Sequence, residues 1–325
     1  MSSRQRVFPI IVASAAMLVL SACGGSGSSD EEAAPAAAKT RTVESTFTGE
    51  KVEIPVKPKR IVALWRTGSE LVDIGVKPVA QMDGEISADE LGEDVFSKVG
   101  DVPVVGTYEE VDIEKLIAAK PDLIVGMDNG GLGLDYTDIK EVAPTVILKI
   151  AEPTDVWRNY TTIADLAGKS TDFETKQAAL DAKLEAVKAE HGATIGDLSV
   201  TALGTMGGEI WVDTAKSLLF ERITGAGFGY NPAYTDNPER YVEALTFENI
   251  PELAEQDAIF YDVDITGKPS AETQKVLDAA SFKRLPAAEA GKVFPVASGT
   301  IYTFAAANKQ VDDLAAAAAD LSDAS

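Results

Sequence analysis

One cysteine, one histidine and three tryptophans are all that a chain of 325 residues carries. A lone cysteine makes no internal disulfide, so the fold must rest on its apolar core. With His191 as the only imidazole, the usual tetrahedral zinc sets and the His- or Cys-ligated haem sets lack ligands, and only tyrosine ligation of haem stays open. A Ser-His-Asp set would have to use His191. That residue ends a long helical stretch, where a partner for the helix dipole is the simpler role. Basic residues are also scarce: 29 Lys and Arg stand against 52 Asp and Glu, a formal charge of −23. Such a balance argues against nucleic acid, whose binders need a positive face, and against an anionic lipid surface. Its simplest role is to keep an exported protein soluble.

Phosphate-binding loops are missing too. GGLG at 130–133 follows a strand but lacks the G-x-G-x-x-G spacing, and GAGFG at 225–229 follows a helix, the wrong context. Both read as turns. There is no P-loop and no nucleophile elbow, so the sequence argues against an enzyme.

The N-terminal apolar run, Val7 to Leu20, would span roughly 21 Å as a helix, short of the ~30 Å hydrocarbon core. Arg4 and Arg6 precede it and small residues follow, the pattern of an export signal over residues 1–22. Leu20-Ser21-Ala22-Cys23 resembles the lipobox of bacterial lipoproteins. The resemblance implies cleavage before Cys23, lipidation of its thiol and a location on the outer face of the cell membrane. Two or three acyl chains hold a protein firmly where one holds it marginally. Residues 23–40 are Gly, Ser, Ala and acid, with no large apolar side chain after the cysteine, and read as a flexible tether.

From residue 60 short apolar strands alternate with helical stretches: RIVAL, then GSELVDIG, then PVA, VPVVG, VDIEKLIAAK, PDLIVGM, DIKEVAP and TVILKI. Alternation of this kind argues for a mainly parallel α/β sheet. Residues 154–192 break the rhythm with two helical stretches and no strand. The second is capped by Asp172, closed by Gly192 and striped by Leu180, Leu184 and Val187. The alternation then returns through SVTALGTM, SLLFERITGAG, DAIFYDVD, ETQKVLDAASF and GKVFPVAS to a final Ala-rich helix. The expected architecture is α/β: two Rossmann-like lobes, 41–153 and 193–325, joined by one long rigid linker helix.

Several segments, in order, resemble the substrate-binding lipoproteins of iron-siderophore and vitamin B12 ABC importers. They are PKRIVALWRTGSELVDIGVKPVAQ (58–81), VDIEKLIAAKPDLIVG (111–126), Trp157 to Gly168, LTFENIPEL (245–253) and FKRLPAAEAGKVFPV (282–296). The family implies a cleft between lobes that captures a ferric siderophore, with cobalamin or haem as alternative cargo. It also implies a permease dimer with its ATPase as partner, a monomeric binding protein and no resident cofactor, iron entering only within the chelate. An enzyme on two α/β lobes and a passive adhesion lipoprotein are the rival classes.

In parallel sheets ligands meet the loops after the carboxyl ends of strands. Those loops hold Trp65, Arg66, Tyr108, Asn129, Met206, Trp211, Arg240, Tyr241, Tyr261 and Tyr302. Aromatic walls with guanidinium groups suit a large ferric chelate, although core packing and surface ion pairs are what such residues do elsewhere. The resemblance also maps Glu70 and Glu248 onto the family's exposed pair of glutamates that dock the permease. The bland alternative is that each complements a helix start.

Overall fold

The computed structural model describes residues 39–297 and 302–323, so Cys23, the export signal and most of the tether lie outside the described residues. The chain opens on an antiparallel hairpin, β1 (Thr40–Ser45) and β2 (Glu50–Pro55), a pair that the sequence reading missed. Ser45 Oγ donates to the Ile147 carbonyl, and Thr46 Oγ1 accepts from the Lys149 amide, which fixes the hairpin to the edge of the first sheet.

That sheet is wholly parallel. Its strands are β3 (Ile61–Ala63), β4 (Ala80–Met82), β5 (Val104–Gly106), β6 (Leu123–Asp128) and β7 (Thr145–Lys149), in the order β5-β4-β3-β6-β7. Every residue of β6 is buried, as expected of a central strand covered on both faces. The connections carry α1 (Gly68–Asp73), α2 (Ala88–Leu91), α3 (Glu93–Val99), α4 (Ile113–Ala118) and α5 (Tyr136–Val142). Asp112 and Asp135 cap the last two by accepting from the Lys115 and Thr137 amides.

Two helices follow, α6 (Thr154–Leu166) and α7 (Ser170–Ile195). Asp172 lies inside the first turn of α7 and does not cap it, and Gly192 does not close it. A glycine costs about 1 kcal/mol inside a helix, and packing of Val187 and Ile195 on either side outweighs that. Phe173, Leu180, Val187 and Ile195 are the buried positions of α7, one about every two turns. This narrow stripe packs against the final helix, α11 (Phe304–Asp323).

The second sheet, in the order β10-β9-β8-β11-β12, is parallel only in part. β8 (Val200–Met206), β11 (Ala258–Val263) and β12 (Val293–Ala297) run parallel, while β9 (Glu209–Asp213) and β10 (Val242–Leu245) form an antiparallel edge. Gly207 (φ +61°) and Gly208 (φ +85°) make the two-residue turn between β8 and β9. Positive φ at both central positions matches the twist of a tight hairpin, so the GG pair turned the chain back where a crossover was expected. The helices of this half are α8 (Leu218–Gly225), α9 (Ala271–Asp278), α10 (Pro286–Glu289) and α11 (Phe304–Asp323), with a 3₁₀ stretch at Phe247–Glu255.

One continuous core runs from Leu71 and Met127 of the first sheet through Tyr160, Phe173 and Leu180 of the linker to Phe260 and Leu314. The two sheets are thus tied through the linker. Trp157, Tyr160, Phe173 and Phe304 stack edge to face at 5.0–5.8 Å, bringing α11 onto α6 and α7. His191 Nδ1 lies 3.1 Å from Ser322 Oγ of α11, a tertiary contact in place of the solitary dipole partner expected.

Arg222 of α8 is an oddity in this core. It is buried and sits over the Trp157 ring at 4.2 Å, and its Nε and Nη2 find no hydrogen-bond partner among the described residues. Burial lowers its pKa to about 10. Each unsatisfied donor costs about 1–3 kcal/mol, against up to ~2 kcal/mol from a desolvated cation–π contact. Arg222→Met should therefore stabilise the protein by about 1–3 kcal/mol in urea denaturation, and a loss of stability would reverse this accounting.

Candidate binding cleft

The chain leaves β3 through Leu64, Trp65 and Arg66 before α1 begins. Thr67 pins this turn by donating from Oγ1 to the Leu64 carbonyl at 2.7 Å. Arg66 takes φ +59°, a left-handed conformation uncommon for a side chain of its size. Its guanidinium lies 5.4 Å from the centre of the Trp65 ring and 5.2 Å from that of Tyr302. Tyr302 belongs to the segment entering α11, so this aromatic sandwich closes across the two halves of the molecule. Next to it, Thr303 Oγ1 donates to the Glu90 carbonyl at 2.6 Å, and the Phe304 amide donates to Asp73 Oδ2 at 2.6 Å.

The loop after β4 supplies the other wall. The Ser69 amide donates to the Glu85 carbonyl at 2.9 Å, and the Thr67 amide donates to Glu85 Oε2 at 3.1 Å. Gly68 permits this approach, because a Cβ there would stand 2.7 Å from the Glu85 carbonyl oxygen. Between these walls lies a cavity of about 230 Å³ lined by Trp65, Arg66, Glu70, Met82, Asp83, Gly84, Glu85, Glu90 and Tyr108. It sits at the carboxyl ends of β3, β4 and β5, where a parallel sheet presents ligands.

Trp65, Arg66 and Tyr108 meet at the cavity, and Tyr302 lies over Arg66. Across the molecule Trp211 and Tyr241 pack on each other at 6.0 Å. The Tyr302 hydroxyl, pushed up to about 12 mainly by burial, also feels the charges of Arg66, Tyr241, Glu70 and Asp213. The other candidates fall elsewhere. Asn129 spends its Oδ1 on the Gly131 amide, an Asx turn inside the GGLG loop. Met206 is half exposed beside the Gly-Gly turn. Arg240 is exposed, and its carbonyl accepts from Thr214 Oγ1 at 2.6 Å. Tyr261 does not end its strand, since β11 runs on to Val263. Strand alternation puts Tyr261 on the Ile259 face, against the outer core of the second half and away from Phe260 and the linker.

Glu70 corrects a second expectation. It is 3% exposed and lines the cavity, so it offers no carboxylate to a docking partner. Glu248, by contrast, is exposed in the first turn of the 3₁₀ stretch. The sequence reading missed Asp83, Glu85 and Glu90. Burial, with Glu90 and Glu85 nearby, holds the Glu70 carboxyl well above the usual carboxylate range. Burial likewise raises Glu85 to about 7 and lifts Glu90. Only Arg66 opposes them within the cavity lining, with its Nη1 4.0 Å from Glu90 Oε1. No group of three His, Cys, Asp or Glu among the described residues has the geometry to hold a metal ion.

The "Periplasmic binding protein" family model matches residues 68–298. The chain belongs to this family. As a periplasmic binding protein it has relatives in Bacillus subtilis (strain 168). It is 29% identical over 206 residues to a putative ABC transporter substrate-binding lipoprotein, YhfQ, a match that spans 62% of each chain. It is 27% identical over 293 residues to the iron(3+)-hydroxamate-binding protein YxeB, across 85% of both. Among solved structures, the siderophore periplasmic binding protein from the fuscachelin gene cluster of Thermobifida fusca superposes with a TM-score of 0.73 at 25% identity, covering 82% of this chain and 98% of that one. Two Rossmann-like lobes joined by a long helix are the architecture of this binding protein. Among its described residues no helix is long and apolar enough to cross a membrane.

Proposed function

We propose that this periplasmic binding protein is the substrate-binding lipoprotein of an ABC importer, anchored through Cys23, and that it captures a ferric siderophore between its lobes. The observation that carries this reading is the Arg66 sandwich. A guanidinium that lines a cavity at the carboxyl ends of a parallel sheet is held between Trp65 of the first half and Tyr302 of the second. The relatives' names support iron as cargo, since YxeB is named for iron(3+) hydroxamate and a further relative for Fe(3+)-citrate. Cobalamin and haem are the alternative cargoes, and no feature of the cleft favours them. The work is capture and delivery to a permease dimer and its ATPase, without turnover or a resident cofactor, by a monomer. Glu248 is left as the docking acid of the second lobe, where charge would set register and on-rate more than affinity.

The test is a titration of the full chain, purified in detergent, with ferric siderophores, cobalamin and haemin, following tryptophan fluorescence. Trp65 forms one wall of the cavity, so saturable quenching is expected with a ferric chelate and not with its iron-free form. Saturation only by cobalamin or haemin would move the cargo. Silence across the panel would remove the importer reading.

A further inference from the structure

A charge of −23 spread evenly over the chain would keep it off an anionic lipid surface, but it is not spread evenly. Residues 39–60 carry six Lys and Arg against three Glu, while the whole chain carries 29 against 52. The fold gathers Lys39, Lys57, Lys59 and Arg60 with Lys120 at one end of the first sheet. Lys59 and Arg60 lead into β3, and their amides donate to Asp122 Oδ2 and Oδ1 at 2.8 and 2.9 Å. The Arg60 guanidinium donates to the Lys120 and Ala119 carbonyls at 2.8 and 2.6 Å, where α4 gives way to β6. Lys39 joins through its carbonyl, which accepts from the Val56 amide at 2.8 Å. All five cations are exposed. Among the described residues, the ion pairs of this lobe belong to others: Arg41, Arg66, Lys77, Lys115 and Lys140. Asp122, the acid among them, spends both oxygens on the two amides. Glu53 on the hairpin, Glu114 on α4, and Asp138 and Glu141 on α5 border the patch.

Apolar surface lies in the same place. Ile117, one turn before Lys120, is 56% exposed, and Val56, next to Lys57, is 39% exposed. Ile117 and Lys120 line a groove of about 450 Å³ together with Ile113, Pro121 and Val142. Lysines beside exposed aliphatic side chains suit the boundary between lipid headgroups and acyl chains. The tether identifies what meets this face. Sixteen residues separate Cys23 from Lys39, a reach of at most about 55 Å. The chain enters the fold beside Val56 and Lys57, within the patch. A tethered face meets its surface at high effective concentration, so a weak attraction suffices. Only charges within a Debye length, about 8 Å at physiological salt, act strongly on that surface, so local cations outweigh distant acids.

Resting on the lipid anchor proposed above, we infer that this face docks on the anionic phospholipid surface that holds the anchor. The patch lies at the amino ends of β3 and β6, and the cleft lies at the carboxyl ends of β3, β4 and β5. Docking therefore turns the cleft outward, toward the solution from which chelates arrive. The protein must release the lipid before it can carry cargo to a permease.

The test is acetylation of lysines in the full chain by an uncharged N-hydroxysuccinimide ester, read residue by residue by mass spectrometry. The chain is reconstituted into vesicles of phosphatidylcholine, either alone or with an equal share of phosphatidylglycerol. On the anionic vesicles Lys57, Lys59 and Lys120 should react about threefold more slowly than on the neutral ones, and about 1 M salt should erase the difference. Lys268 and Lys275, exposed on the second lobe, should react alike on both. Lys57→Glu with Lys59→Glu, a change of two exposed side chains, should return Lys120 to its rate on neutral vesicles. Quenching by a ferric chelate should stay as in the wild type, because the cleft is at the other end of the sheet. Equal rates on the two kinds of vesicle would overturn the lipid contact and leave the anchor standing. Flotation with the anionic vesicles alone would overturn the anchor and support the patch. Flotation with neither would overturn both. The wild-type comparison stands without the variant.

Discussion

Tyr160→Ala is expected to cost about 3–5 kcal/mol of folding stability, the largest loss from any single truncation in the linker. Its ring is fully buried and meets Trp157 at 5.8 Å, Phe173 at 5.1 Å and Phe304 at 5.4 Å. The hydroxyl donates to the Glu70 carbonyl at 2.8 Å, with Asp73 Oδ2 at 3.1 Å. One side chain thus joins α1 of the first lobe to α6, α7 and the start of α11. Removing it opens a cavity at the point where these four helices converge, and it leaves the Glu70 carbonyl, which also accepts from the Ile74 amide, with one bond fewer. Tyr160→Phe keeps the ring and should cost only about 1 kcal/mol, the worth of the lost hydrogen bond. Urea denaturation of both variants checks this. An alanine variant within about 1 kcal/mol of wild type would mean that the aromatic cluster does not set the position of the linker.

The same cluster shows what a sequence can and cannot reveal. Trp157 and Phe173 lie in segments whose helical spacing is plain, but nothing local says that Phe304 will meet them. The first lobe was legible because each of its strands is a short apolar run between turn residues, and because a parallel sheet forces a crossover after each. The second lobe was less so. EIWVD alternates over only five residues behind its GG turn. Placing the second strand at Pro78–Ala80, two residues before β4 ends, hid the acidic wall. The loop DGEISADEL follows Met82 directly, so its acids fall at the cavity rim. Tyr261 failed on parity, since a strand two residues longer turns an end residue into an interior one. Glu70 failed because helix-start position predicts a polar neighbourhood but not whether another loop covers it. Here Gly68 lets the Glu85 main chain lie across α1.

The acids with raised pKa values should make the free protein more stable in mild acid than at pH 8. Glu85 is raised from 4.5 to about 7 and Asp213 from 3.8 to about 7, both chiefly by burial, and Glu70, Glu90 and Asp262 move the same way. In the unfolded chain these groups lose their protons near their ordinary values. In the folded chain Glu85 and Asp213 keep them until about pH 7, and burial holds the other three above the ordinary carboxylate range. Between those limits the folded state binds more protons, so stability falls as pH rises. The contribution is fully present below the unfolded value, is lost as pH climbs through about 7, and is absent above. At about 1.4 kcal/mol per pH unit, Glu85 alone accounts for roughly 3 kcal/mol across this window. Acids shifted downward, such as Asp112 and Asp135, sit on the surface, and their window lies below pH 4, outside this range. The ligand-free protein should therefore melt on the order of 5 °C higher at pH 5.5 than at pH 8. Glu85→Gln should flatten that slope while raising the midpoint at pH 8. A melting temperature that is constant or rises from pH 5.5 to 8 would mean that these carboxylates are already ionised in the folded protein.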